Sequence, residues 1–86
     1  MSLTAEHLQI ATILDQATKR IIANGGDDVE IIRDMAEYMD GFKRLMDTAS
    51  PAEMDELCNR FDGFHRYAKV LETLAKGVAS GEINVP

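Results

Sequence analysis

Eighty-six residues with 45% apolar side chains allow one domain with one modest core, a size at which stability often comes from association. Fifteen acidic against nine basic side chains leave a net charge of -6, which repels a phosphate backbone and excludes nucleic acid as an expected partner. No apolar run approaches the roughly 20 residues of a membrane span, and the lone Cys58 excludes an intramolecular disulfide or a multi-cysteine zinc site.

A folded protein of the reducing cytoplasm, with no membrane association, is therefore expected. Met1-Ser2-Leu3-Thr4-Ala5-Glu6 carries neither a basic n-region nor an apolar h-region, so no secretory signal is expected, and Met1-Ser2-Leu3 also fits an expression leader.

In chain order, two breaks, Asn24-Gly25-Gly26-Asp27 and Asp47-Thr48-Ala49-Ser50-Pro51, predict three helices. The first, about 5–24, has Thr4 as N-cap, Lys19 and Arg20 near the negative end of its dipole and Gly25 at C′. Its apolar seam is Leu3, Ile10, Leu14, Ala17 and Ile21. The second, about 28–47, starts after Asp27 or Asp28 and carries an inner seam of Ile32, Met35, Met39, Phe42 and Met46, with Ile31, Tyr38 and Leu45 as a second column. This apolar arc is wider than one neighbouring helix covers.

The third, about 51–79, opens on the capping box Ser50-Pro51-Ala52-Glu53 with proline at N1. Its seam is Met54, Leu57, Phe61, Phe64, Ala68, Leu71, Ala75 and Val78. A rod of that length is roughly 42 Å, longer than its neighbours, so its last turns around Leu71, Leu74 and Val78 overhang the bundle and need another cover. Residues 80–86 form a short tail that folds back or crosses to a partner.

Asp40-Gly41-Phe42-Lys43-Arg44 returns 22 residues later as Asp62-Gly63-Phe64-His65-Arg66. The extended alignment sets Ile32 on Met54, Met35 on Leu57 and Met39 on Phe61, which predicts that the second and third helices form a quasi-two-fold antiparallel hairpin. Tyr38 and Met39 then lie opposite Arg60 and Phe61, and Gly41 and Gly63 flank that crossing as small residues for close approach. Within each copy, Asp40 with Arg44 and Asp62 with Arg66 have the spacing of ion pairs on one helix face.

Chemistry-bearing patterns are few. Cys58, Asp62 and His65 share one helix at steps of four and three, but three ligands from one helix seldom converge tetrahedrally, and a small buried thiol is the expected state of Cys58. His65 lacks the lysine-glycine pair that follows a phosphorelay histidine. Asp40 and Asp62 each have an Arg one turn on that favours the ionised form, which leaves no general acid. Gly25-Gly26 follows a helix, so it is no phosphate loop. Five methionines fit a core or an adaptable groove.

The expectation is an all-α protein, an antiparallel three-helix bundle completed by dimerisation. Its expected work is non-enzymatic: a small acidic interaction module, an oligomeric accessory or regulatory protein that binds a protein partner, itself or both. No cofactor, metal or catalytic residue is expected. The candidate binding residues are Tyr38, Asp40, Arg44, Asp62, His65 and Arg66. The competing expectation is a small-molecule or metal-binding bundle built on His65, Cys58 and the methionines.

Overall fold

A computed structural model describes residues 3–81, the side chains of residues 79 and 80 apart. These residues are all-helical, with no strand among them: α1 (Ala5–Ala23), α2 (Asp28–Asp34), a 3-10 turn (Ala36–Tyr38), α3 (Met39–Thr48), α4 (Pro51–Arg60) and α5 (Asp62–Ser80). Most of the tail expected at 80–86 lies outside the described residues.

Helix starts follow local chemistry. Thr4 caps α1, its hydroxyl accepting from the His7 backbone N–H at 3.1 Å, and Asp27 caps α2 by accepting from Glu30 N–H at 3.1 Å. Ser50 and Glu53 close a reciprocal box at α4: the Ser50 hydroxyl accepts from Glu53 N–H at 3.2 Å, and Ser50 N–H donates to Glu53 Oε1 at 2.9 Å. That bond to the Ser50 backbone, with a further one to its side chain, holds the Glu53 carboxyl below its ordinary value of 4.5. At the other end of α1, Gly25 adopts φ +82° and Gly26 N–H reaches back to the Ile21 carbonyl at 2.9 Å, a Schellman stop.

The expected second and third helices are each broken, so five α-helices replace three among the described residues. The run 28–47 breaks at Met35 (φ -103°, ψ 15°), and the run 51–79 breaks at the extended Phe61 (φ -129°, ψ 99°). Neither break holds a glycine or proline. Their cause is tertiary: α2 rests chiefly on α5 while α3 rests on α1, and α5 packs on both α4 and α1. A straight rod cannot lie along two neighbours of different direction.

The seams shift accordingly. Ile31, Met35, Phe42 and Leu45 are buried, but Met39 and Met46 are 45% and 61% exposed. In α5 the buried stripe runs Gly63, Phe64, Tyr67, Val70 and Gly77, which turns Ala68, Leu71, Ala75 and Val78 toward its flank. α5 packs chiefly on α1, the most extensive helix pairing among the described residues, with Gly63 against Asp15.

On α1 the buried positions are His7, Ala11, Leu14, Asp15 and Thr18, three of them polar. Each is paired across helices. Thr18 Oγ1 donates to Met35 Sδ at 3.1 Å. The Thr48 hydroxyl already donates to the Arg44 carbonyl, so it accepts from His7 Nε2–H at 3.0 Å, and His7 Nδ1 is left to accept Thr4 N–H at 3.4 Å. Asp15 Oδ1 accepts from Gly63 N–H at 2.7 Å, and Lys19 lies 3.3 Å from the other carboxylate oxygen. No buried side-chain polar atom among the described residues lacks a partner.

The repeated pentapeptide proves to be a helix start, with Asp40 and Asp62 in the first turns of α3 and α5. Its glycines do not flank a hairpin crossing; both lie against α1. A Cβ on Gly41 would come within 3.3 Å of Ile10, and one on Gly63 would strike the Asp15 carbonyl and stand 2.6 Å from Asp15 Oδ1. Met39 likewise meets α5 rather than Arg60 and Phe61, its sulfur accepting from the Tyr67 hydroxyl at 3.3 Å.

The expected ion pairs within each copy are absent among the described residues; the arginines reach further. Arg44 pairs with Glu6 and Arg66 with Asp28 at 2.6 Å, each across 38 residues of chain. Both partners are thus displaced by the same 22 residues that separate the pentapeptides. The echo covers a tie between helices, not just a helix surface. Glu6 is held below the usual carboxylate range by its bond to Arg44. The two phenylalanines meet, Phe42 and Phe64 at 6.0 Å between centroids, with Tyr67 edge-on to Phe42 at 5.4 Å.

Candidate functional site

The short α3–α4 connection fixes one end of a groove. Capping by Ser50 brings Pro51 and Met54 beside the end of α3, while the second half of α5 runs along the other side. Because the α5 stripe is spent on α1, its flank residues Ala68, Leu71, Ala75 and Val78 line this groove with Leu74. Met39, Phe42 and Met46 of α3 form the facing wall.

The groove has a volume of about 990 Å³, and Val78, like Met39 and Met46, is substantially exposed, at 40%. Apolar side chains left in water at the end of a small core are what a contact partner would cover. Methionine suits such a wall, being unbranched and polarizable. Three charged residues complete the lining. Glu72 bonds Lys76 at 2.9 Å, which lowers its carboxyl below the usual range, whereas Asp40 and Lys43 enter no ion pair among the described residues.

A second depression of about 400 Å³ lies on the other side of Ala68 and Glu72, lined also by Asp55, Cys58, Asn59, His65 and Lys69. It brings Cys58 and His65 together, as their spacing suggests, but Asp62 does not line it. Burial first, and the Asp55 carboxylate second, push the Cys58 thiol up, away from the thiolate needed for nucleophilic or metal chemistry. No group of three metal-binding side chains converges among the described residues.

The six candidate residues are distributed over several surfaces. Asp40 lines the groove and His65 the smaller depression. Arg44 and Arg66 are engaged in their ion pairs with Glu6 and Asp28. Tyr38 ends the 3-10 turn, half-buried against the core, and Asp62 sits exposed at the first position of α5. Lys43 and Met46 line the groove but are not among the candidate binding residues. The signal for Met46 was the wide apolar arc of the second predicted helix, which one neighbour cannot cover; Lys43 had none.

Fold and site together define an all-α protein with an open, methionine-walled apolar groove. Set against protein-family models, curated proteins and solved structures, the chain matches none of them. No helix among the described residues is long and apolar enough to cross a membrane.

Proposed function

We propose that the protein is a non-enzymatic interaction module, an oligomeric accessory or regulatory protein that works by contact with a protein partner, itself or both. The observation that carries this reading is the groove whose walls leave Met39, Met46 and Val78 at 45%, 61% and 40% exposure while the adjoining stripe of α5 is packed. Exposed apolar groups gathered on one side, at helical spacing, favour docking of a helix or a similar apolar face. The raised thiol of Cys58 and its incomplete ligand set weigh against the metal-binding and enzymatic readings. One free cysteine fits a reducing, cytoplasmic setting.

The test is partner capture by wild type beside Met46→Lys and Val78→Asp, with native mass spectrometry of the same samples. Proteins held by wild type and lost from both variants support the reading. Retained ligand or metal mass, or capture indifferent to both substitutions, overturns it.

A further inference from the structure

We infer that the occupant of the groove is a second copy of this chain, docked with its α3 antiparallel to α3 about a two-fold axis near Phe42. The inference rests on the proposed contact function and names its partner. Two helices, α3 and α5, bound the groove; two more from a symmetry-related copy would complete a four-helix layer in which each α3 lies in the other's groove.

The charges on α3 argue for self-docking. Asp40 and Lys43 stand three residues apart on its exposed face, and neither enters an ion pair among the described residues. An acid and a base so spaced are self-complementary when the helix meets itself antiparallel: Asp40 comes beside Lys43 of the second copy, and Lys43 beside its Asp40. With the axis at Phe42 each of these pairs is within one residue of level, and Met39 comes as near to level with Met46 of the second copy, twice over. Leu74 and Val78 of α5 then meet the incoming α3.

Charge also decides between a second copy and a basic partner helix. A basic helix needs an acidic rim, but Lys43 balances Asp40, and Glu72 is already bonded to Lys76 at 2.9 Å. Two copies each of charge -6 repel at long range, so they associate best through a seam that is locally neutral. The α3 face is such a seam.

Sedimentation equilibrium of the full chain tests this, using wild type, Asp40→Lys, Lys43→Asp and the double reversal, each first shown by circular dichroism to have the helix content of wild type. A wild-type dimer at micromolar concentration is expected. Each single reversal creates two like-charge contacts and weakens the dimer about tenfold or more, and the double reversal, which restores both pairs with signs exchanged, returns to within about threefold of wild type.

Wild type that stays monomeric up to about 200 µM overturns the inference, as do single reversals that dimerise as tightly as wild type or a double reversal that fails to recover. A monomer that still captures a partner lost on Met46→Lys overturns self-docking alone. A monomer that captures nothing through the groove overturns the contact function as well.

Discussion

The two sides of α5 use opposite chemistry. Toward α1 it presents the buried Gly63 and a stripe of aromatic and aliphatic residues, and the carboxylate that α1 sends into this interface, Asp15, is hydrogen-bonded to Gly63 N–H. Toward the groove it presents Leu71, Leu74, Ala75 and Val78 to a space no other helix among the described residues fills. Polar residues inside and apolar residues outside invert the usual expectation, and the inversion separates two jobs. The α1 face specifies how the helices sit, because a wrong register would strand a carboxylate or an amide. The groove face contributes little to the fold, and under the proposed function it is the face a partner covers.

The comparison breaks most visibly at Gly63. Gly63→Ala drives a methyl group into the Asp15 carbonyl and carboxylate, and a loss of about 3 kcal/mol, read from chemical denaturation, is expected. Asp15→Ala removes the acceptor for Gly63 N–H and leaves a buried donor unpaired, at a cost of about 1–3 kcal/mol, whereas Asp15→Asn keeps an acceptor oxygen and loses less. The two alanine substitutions act on one contact, so their costs should fall short of additive in a double-mutant cycle.

Smaller effects test the caps and the groove. Ser50→Ala should cost about 1 kcal/mol. The pH dependence of that box has a definite sign: with the Glu53 pKa lowered on folding, its stabilisation is present above the ordinary 4.5 and is lost as pH falls through the folded value. Wild type should therefore lose melting temperature on acidification more steeply than Glu53→Gln. Least of all, Met46→Lys should change the stability of the monomer, measured at concentrations too low for dimerisation, by within about 0.5 kcal/mol, since the side chain is exposed and a cation near a helix C-terminus is favourable. A large loss there would mean that the groove wall belongs to the core after all.

What could be read from the chain was the chemistry that acts over four residues. Thr4, Asp27, Gly25 and the Ser50-Pro51-Ala52-Glu53 box each announce a helix end because a cap needs only its own neighbours. The breaks at Met35 and Phe61 have no such local cause; they exist because α2, α3, α4 and α5 lean on different neighbours. Apolar periodicity passed over His7, Asp15 and Thr18 for the same reason, since their burial depends on partners 17 to 48 residues away. Of the site, the uncovered end around Leu71, Leu74 and Val78 was legible from apolar spacing. Lys43 was not, nor was the outward turn of Met46, because which side of α3 faces outward depends on where α1 lies.

Phe61 joins α4 to α5 with a single non-helical residue. A connection that short has no slack, so inserting or deleting one residue there turns everything after it by about 100° about the α5 axis. Gly63 would then swing away from Asp15, and the groove-lining residues would be carried into the space that α1 occupies. The four-residue break at Asn24-Gly25-Gly26-Asp27 can absorb a change of length; the corner at Phe61 works as a coupling in which chain length itself is the encoded variable.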